Sequence, residues 1–454
     1  METCPDDIHG IVPAQGVVTS RGGMTSHAAV VARGMGKPCV VGCDALQIDI
    51  SLKRILVNGK QIKHGDIISI DGATGEIFEG AIETVKPKMS AEFTQLLKWA
   101  DNKRRLRIRA NADTPEDAQI ARQFNAEGIG LCRTEHMFMN QERLPVMQAM
   151  ILANNKAERE NALSQLLPMQ KNDFIEIFKV MHGLPVTIRL LDPPLHEFLP
   201  KIEELVMDPD IGKKQLLLNK VKELKEANPM MGLRGCRLGL LYPEINEMQV
   251  RAIFEAAISV KQEGIEVMPE IMIPLISDVE ELVVCREHLE NVALKIMDQY
   301  KQKVDYTFGT MIEIPRACLT AGDIAKHAEF FSFGTNDLTQ MTYGFSRDDA
   351  EGKFLARYLE GIEVNGKSVK ILRNNPFEML DRDGVGRLIK LAINEGLKNN
   401  PSLKFGICGE HGGEPSSIEF FEEAGLNYIS CSPYRIPIAR LAAAQARIRN
   451  QLTN

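Results

Sequence analysis

The stretch FGTMIEIPRACLTAGDIAKHAEFFSFGTND, residues 308–337, decides the fold of this chain. It contains two apolar runs, Phe308–Ile312 and Phe330–Gly334, and polar side chains follow at the end of each run. Short runs of apolar residues bounded by glycine or proline are typical of buried strands. The stretch therefore predicts two neighbouring strands of an α/β fold.

Six further apolar runs extend this pattern in both directions along the chain. They are Leu106–Ala110, Gly128–Cys132, Val186–Leu191, Glu270–Leu275, Phe405–Cys408 and Tyr428–Cys431. Helical spacing marks the intervening segments Ile175–His182, Val250–Glu263, Val279–Tyr300 and Val385–Leu397. Eight strands alternating with helices predict a (β/α)8 TIM barrel with insertions. A doubly wound open sheet is the alternative, although no GxGxxG motif follows the first strand.

The chain upstream of these runs consists of short, glycine-rich elements. Ile55–Val57, Ile67–Ile70 and Glu76–Phe78 predict strands of a small mixed α/β domain. A polar helix over Ala91–Arg105 connects this domain to the barrel. The predicted organisation is a small domain over 1–85, a linker helix over 86–105 and a TIM barrel over 106–454.

Composition narrows the class of protein further. A net charge of −7 over 454 residues does not favour a nucleic-acid partner. Nine cysteines without CxxC spacing indicate a reduced, intracellular protein. Because the sequence has no long apolar run and no signal-peptide pattern, we expect a cytoplasmic protein without a membrane partner.

The sequence GGMTSHAAVVARGMGKPCVV, residues 22–41, carries a candidate nucleophile. Paired glycines open a short helix, and His27 falls in its first turn, where free N–H groups and the helix dipole favour an anion. This position disfavours the cationic form, and neutral imidazole is a competent phosphoryl acceptor. The alternative is a histidine at a helix start, capped by Thr25 or Ser26, with no chemistry.

Reactive side chains lie at the carboxyl ends of the predicted barrel strands, where the active sites of TIM barrels lie. They are Arg133, Arg189, Glu313, the segment Gly334-Thr335-Asn336-Asp337, and Cys408. Arginines bind phosphate or carboxylate bidentately, and paired carboxylates suit Mg²⁺. A cysteine of ordinary pKa is mostly a thiol near pH 7, which suits a proton donor. Each residue alone has a structural alternative, such as a rim ion pair, a helix cap or a packed small side chain.

Eight segments resemble one known family, the phosphoenolpyruvate (PEP)-utilising enzymes. They are GGMTSHAAVVARGMGKPCVVG, GIGLCRTEHMF, TIRLLDPPLHEFLP, NPMMGLRGCRLG, PEIMIPLI, FFSFGTNDLTQMTYGFSRDD, GICGEHGGEP and SCSPYRIPIARLAAAQ. They occur in the family's order between Ile11 and Gln445. TIRLLDPPLHEFLP and CSPYR are similar to the members that use ATP and phosphate to interconvert pyruvate and PEP, rather than to bacterial phosphotransferase-system enzyme I or phosphoenolpyruvate synthase.

The resemblance implies a role for each matched residue. His27 would be the phosphorylated histidine, and Cys408 would protonate the enolate. Substrate and Mg²⁺ would contact the remaining matched residues: Arg133 and Arg189 on PEP, Glu313 and Asp337 on Mg²⁺, Gly334, Thr335 and Asn336 lining the substrate, and Arg237 and Arg347 supporting the phosphate. Thr25 would match a threonine that plant members use for regulation. The family also implies a homodimer through the barrel and a histidine domain that swivels about the 91–105 connector.

The expected function is interconversion of pyruvate and PEP through a phosphohistidine. In the full reaction that the resemblance implies, ATP, phosphate and pyruvate give AMP, pyrophosphate and PEP. The ATP-grasp region that such members carry does not occur in this sequence, so we expect a fragment or an ATP step on another chain. The alternatives are a PEP-dependent phosphocarrier to a protein and an inactive remnant that binds PEP.

Overall fold

A computed structural model describes most of the chain. The described residues are 14–21, 29, 32, 37–49, 52–57, 59–83, 90–140, 142–207 and 211–453. They belong to two compact units. The first unit falls within 1–102 and 344–379, and the second within 103–343 and 380–454.

The amino-terminal part of the first unit consists of short strands in three small sheets. The strands are β1 (Val17–Val18), β2 (Cys39–Val40), β3 (Gln47–Asp49), β4 (Arg54–Val57), β5 (Lys60–Lys63), β6 (Ile68–Asp71) and β7 (Glu76–Glu79). β1 and β2 are parallel, whereas β3-β4-β5 and β6-β7 are antiparallel. At the β6-β7 turn the Asp71 carboxylate accepts the N–H groups of Ala73 and Thr74. The three predicted strands are present within one residue of their expected bounds.

The connector helix α1 (Ala91–Asp101) begins where Ser90 caps the N–H of Phe93. It ends at Asp101, four residues before the predicted Arg105. The helix ends earlier because Arg104 and Arg105 make their side-chain contacts within the barrel unit. Arg104 pairs with Glu127, and Arg105 makes hydrogen bonds to Glu422 and to the carbonyl of Leu426.

The second unit contains a closed barrel of parallel strands, which confirms the TIM barrel and rules out the open sheet. The barrel strands are β8 (Arg107–Asn111), β9 (Ile129–Arg133), β10 (Pro185–Arg189), β11 (Met268–Ile273), β12 (Thr307–Ile312), β13 (Phe330–Phe333), β16 (Lys404–Ile407) and β17 (Tyr428–Cys431). Strands β14 (Ile362–Val364) and β15 (Lys367–Val369) lie between β13 and β16 in sequence and form a separate hairpin. The barrel closes where β17 pairs with β8, with Ile429 opposite Ile108.

Helices alternate with the barrel strands as the sequence predicts. They are α2 (Pro115–Gln123), α3 (Leu144–Leu152), α4 (Lys156–Val180), α5 (Ile202–Met207), α6 (Ile211–Leu224), α7 (Gly235–Leu241), α8 (Pro243–Gln262), α9 (Val279–Tyr300), α10 (Pro315–Leu319), α11 (Ala321–Ile324), α12 (Thr335–Tyr343), α13 (Arg347–Lys353), α14 (Leu355–Glu360), α15 (Val385–Asn399), α16 (Pro415–Ala424) and α17 (Ile436–Thr453). Of the helices described, none combines the length and apolarity needed to cross a membrane.

The main core lies between the barrel strands and the surrounding helices. Phe308, Ile312 and Phe331 are fully buried within it. α15 buries Ile389 and Ile393 four residues apart on one face, as an amphipathic helix does. Burial of each such side chain contributes about 1.5–3 kcal/mol. The rigid strands that result hold their carboxyl ends in fixed positions.

Residues 344–379 form an excursion between β13 and β16 that belongs to the first unit. It contains α13, α14 and the β14-β15 hairpin around a small core of Ala350, Leu355 and Phe377. Arg347 lies here, paired with Glu351 at 3.0 Å.

Candidate active site

The carboxyl ends of the parallel strands carry polar side chains toward one mouth of the barrel. The residues predicted from the sequence end β9 and β10 and directly follow β12, β13 and β16. Because the barrel is closed and its strands are parallel, these ends lie on the same face.

The first cation of the mouth is Arg133, the last residue of β9. Its Nε and Nη2 atoms donate to Asp113 Oδ2 at 3.0 and 2.7 Å, and its backbone N–H donates to Oδ1. His136 Nδ1 lies 2.9 Å from the same Oδ2 atom. Burial alone would raise the pKa of Asp113, but Arg133 and His136 hold it well below its usual range. The guanidinium of Arg133 is thus fixed by a permanently charged carboxylate.

Two further arginines occupy the interior of the mouth. Arg189, the last residue of β10, pairs with Glu135 and with Asp192, the latter at 3.0 Å. Arg234 precedes α7 and bridges two carboxylates: its Nη2 atom lies 2.5 Å from Asp192 and 3.0 Å from Asp337. The two arginines share Asp192 and are both largely buried, so their orientations are coupled.

Glu313 follows β12 and is 2 % exposed. The backbone N–H of Leu275, which adopts a φ of 62°, donates to its Oε1 atom at 2.7 Å. Gly334 lies against the same side chain, since a Cβ atom there would meet Glu313 Oε2 at 2.8 Å. A strained backbone on one side and a glycine on the other therefore position this carboxylate.

The pKa values of the Glu313 and Asp337 carboxyl groups are both raised. Burial and the neighbouring Asp337 and Asp192 charges raise the pKa of Glu313 to about 8. Burial also raises the pKa of Asp337, despite Arg234. No group of three metal-binding side chains exists among the described residues. Two hard oxygen donors, the buried Glu313 and the half-buried Asp337, fit a divalent cation that completes its shell with substrate and water.

Cys408 follows β16 and is buried beside this acidic group. Its thiol lies 3.9 Å from the carbonyl oxygen of Phe333, to which it donates. Burial raises the pKa of the Cys408 thiol to about 11. Asn111 fixes the local backbone, because its Nδ2 donates to the Cys408 carbonyl at 3.1 Å. The group is a thiol at neutral pH, available as a proton donor.

The start of α12 is held by the loop that follows Cys408. The Thr335 hydroxyl lies 2.8 Å from His411 Nδ1, and Asn336 Oδ1 accepts the N–H of Glu410 at 3.2 Å. Gly409 permits this approach, since a Cβ atom there would lie 2.0 Å from Thr335 Oγ1. The two loops therefore form one rigid wall next to Asp337.

Comparison with known protein families accounts for this arrangement. The family model described as "PEP-utilising enzyme, PEP-binding domain" matches residues 87–448. A second, described as "PEP-utilising enzyme, mobile domain", matches residues 1–75. The chain belongs to the PEP-utilising enzymes.

Relatives of this PEP-utilising enzyme carry one name. Pyruvate, phosphate dikinase of Rhizobium meliloti is 52% identical over 99% of this chain and 50% of its own length. The Clostridium symbiosum dikinase is 52% identical over 99% of this chain and 51% of its own length. The chloroplastic dikinase 1 of Arabidopsis thaliana is 53% identical over 98% of this chain and 46% of its own length. The chain spans about half the length of these relatives, and none of these names favours a phosphocarrier or an inactive remnant.

In this PEP-utilising enzyme most predicted site residues of the barrel meet at one mouth. Arg237 is directed elsewhere, because its Nη1 atom donates to the carbonyls of Met231 and Gly232. Arg347 belongs to the other unit. His27 and Thr25 lie outside the described residues, so their roles stay predictions.

Four residues of the mouth in this PEP-utilising enzyme were not among those predicted from the sequence: Arg234, Asp113, Glu135 and Asp192. The motif GLRGCR offered two arginines, and only the structure shows that Arg234 reaches the carboxylates. Glu135 and Asp192 adjoin selected residues in sequence, and their proximity to arginine was the available signal. Asp113 follows β8, for which no catalytic residue was proposed.

Proposed function

We propose that this chain transfers a phosphoryl group between His27 and the enolate oxygen of pyruvate, forming or consuming PEP at the barrel mouth. One observation carries the proposal: three arginines, two carboxylates and a protonated thiol converge at one end of a closed barrel. The relatives are named for pyruvate and phosphate, and the family for PEP, which supports these substrates.

The arginines would bind the anionic substrate. PEP carries a carboxylate and a phosphate, and guanidinium groups bind both bidentately. Arg133 and Arg189 would hold the phosphoryl group, with Arg234 beside them. Asp113, Glu135 and Asp192 fix these guanidinium groups before substrate arrives, which lowers the entropic cost of binding.

Glu313 and Asp337 would hold Mg²⁺, since hard carboxylate oxygens suit it and burial raises the pKa of both groups, which a bound cation would offset. When bound, the cation would stabilise negative charge on the enolate oxygen. Gly334, Thr335 and Asn336 would line the substrate next to it. The glycine leaves room for the Glu313 carboxylate, and the Thr335 and Asn336 contacts hold the wall in place.

In the direction of PEP consumption, an imidazole nitrogen of His27 would attack phosphorus. The bond from phosphorus to the enolate oxygen breaks, and the electron pair stays on pyruvate enolate. The Cys408 thiol would then donate its proton to C3 of the enolate, giving pyruvate and a thiolate that regains a proton from water. With a pKa of about 11 the thiol stays protonated at neutral pH and can donate its proton to the strongly basic enolate carbon.

Labelling with phosphate-labelled PEP and Mg²⁺ tests the proposal. We expect acid-labile, base-stable label on the chain and none on the His27→Asn variant. Label that survives this substitution, or no label on a folded chain, would contradict the proposal.

Two wider features stay proposals. A homodimer through the barrel follows from the family resemblance, and sedimentation velocity of the purified chain tests it. The ATP and phosphate half of the reaction is not assigned to this chain, whose match covers about half of each dikinase. Regulation at Thr25 is likewise a prediction.

A further inference from the structure

A second cationic site lies at the opposite end of the barrel from the mouth. A pocket of about 490 Å³ is lined by Arg105, Arg107, Arg109, Lys404, Asn427 and Tyr428. Arg107, Lys404 and Tyr428 are the first residues of β8, β16 and β17. Arg133 and Arg189 instead end their strands. A five-residue strand spans about 15 Å, so the pocket and the mouth are separate sites.

Two of the four cations lining the pocket have carboxylate partners. Arg105 forms a two-point ion pair with Glu422, and Arg109 pairs with Glu270 at 2.6 Å. The guanidinium of Arg109 also lies 3.9 Å from the centre of the Tyr428 ring. These contacts fix two walls of the pocket.

The other two cations lack such partners. Within the described part of the chain, no ion pair involves Arg107 or Lys404, and both side chains are exposed. Neither charge is balanced locally, although the whole chain carries a net charge of −7. A surplus of two positive charges in one concavity raises the local concentration of anions.

The remaining polar groups of the pocket are mainly donors. Asn427 Oδ1 accepts the N–H of Phe405 at 2.7 Å, which leaves the amide nitrogen as the group that is free to donate. The buried Nε atom of Arg109 makes no hydrogen bond among the described residues. No carboxylate lines this pocket. An anion would therefore meet donors on several sides, while the nearby carboxylates of Glu422 and Glu270 are paired with Arg105 and Arg109.

We propose that this pocket binds a small polyanion with at least two negative charges on phosphoryl or carboxylate oxygens. Arg107 and Lys404 supply the two charges that such an anion neutralises, and Asn427 adds a neutral donor. The volume falls within the range of small-molecule sites and exceeds what one inorganic phosphate fills. Arg105 and Arg109 shape the site without changing its net charge.

Calorimetric titration of the full chain with pyrophosphate and, separately, with citrate tests this inference. The Arg107→Gln/Lys404→Gln variant removes both unbalanced charges from exposed side chains, so it is expected to fold. The matched control is Arg122→Gln/Lys295→Gln, which removes an equal charge from exposed residues elsewhere on the barrel unit. Each titration is repeated with saturating pyruvate, a monoanion that the proposed function assigns to the mouth.

We expect one site that persists in the presence of pyruvate for at least one of the two probes. Its affinity should fall at least tenfold in the pocket variant and stay unchanged in the control. If the pocket variant loses affinity for pyrophosphate alone, the pocket recognises phosphoryl groups. If it loses affinity for both probes, the pocket recognises negative charge. Equal affinity of wild type and pocket variant, or full displacement by pyruvate, would overturn the inference. Labelling by PEP should persist in the pocket variant, which separates this inference from the proposed phosphoryl transfer.

Discussion

Gly334 leaves the space that the carboxylate of Glu313 occupies. A Cβ atom at Gly334 would lie 2.8 Å from Glu313 Oε2 and 3.0 Å from Glu313 Cβ. It would also lie 2.7 Å from Met311 Sδ, so the added atom meets a neighbour on two sides. The position of one proposed cation ligand therefore depends on a missing side chain on the neighbouring strand.

Gly334→Ala should impair phosphoryl transfer because it displaces Glu313. A shift of about 1 Å in a reacting group can cost about 10²-fold in rate, and we expect labelling by PEP to slow on that scale. Gly352→Ala is the control, since nothing lies within 4 Å of a Cβ atom there. The control should keep full activity with unchanged or slightly higher thermal stability. Equal labelling rates for the two variants would contradict the proposed role of Gly334.

Arg234 should matter more for substrate binding than Arg237. Arg234 bridges Asp192 and Asp337 in the mouth, whereas Arg237 donates to backbone carbonyls. Lysine keeps the charge but loses the two-point geometry, so Arg234→Lys should raise the Kd for PEP roughly tenfold. Arg237→Lys should change it less than about twofold. Fluorescence or calorimetric titration measures both, and the reverse ranking would contradict this assignment.

Asp113→Asn should loosen Arg133 and lower stability. The pair is buried on the aspartate side and partly exposed on the arginine side, so we expect a loss of about 1–3 kcal/mol in the free energy of unfolding. The KM for PEP should rise more than kcat falls, because Arg133 would bind substrate in both ground and transition states.

The pH dependence of this loss follows from the lowered pKa of Asp113. A carboxylate with a lowered pKa stabilises the fold above its ordinary value of 3.8, and this stabilisation disappears as pH falls through the lower folded-state value. Urea unfolding at several pH values should show a constant difference between wild type and Asp113→Asn near neutrality. The difference should shrink below about pH 4. A difference that grows on acidification would contradict the ion pair.

Cys408→Ala should separate proton transfer from phosphoryl transfer. Without the thiol, exchange of pyruvate methyl protons with D₂O should fall by at least about 10²-fold. Labelling of the chain by PEP should fall much less, because the thiol acts after the phosphorus–oxygen bond breaks. Cys431→Ala is a control at another buried cysteine of the barrel. Proton NMR of pyruvate measures the exchange, and equal loss of both activities in Cys408→Ala would contradict the proton-donor role.

The architecture was largely predictable because strand patterning is local. Tyr428–Cys431 and Val279–Tyr300 have the predicted bounds, and the other barrel strands shift by a few residues at most. The closure of the sheet was the non-local part. Periodicity alone does not distinguish a barrel from an open sheet, and the pairing of β17 with β8 decides it.

The site was predictable only in part, because ion-pair networks join residues that are distant in sequence. Asp113 meets Arg133 across 20 positions, and Arg234 meets Asp337 across more than a hundred. The sequence also did not show that residues 344–379, which include Arg347, belong to the first unit rather than to the barrel unit. No local pattern distinguishes Arg234 from Arg237, because the direction of each side chain depends on the turn before α7.

The most direct measurement of the central claim is isotope exchange between pyruvate and PEP on this chain without ATP. Carbon-labelled pyruvate, unlabelled PEP and Mg²⁺ are incubated with wild type and with His27→Asn. We predict that label moves from pyruvate into PEP with wild type, because the phosphoryl group leaves and returns through His27, and that none moves with the variant. Absence of exchange with a folded wild-type chain, or exchange that survives His27→Asn, would contradict the account.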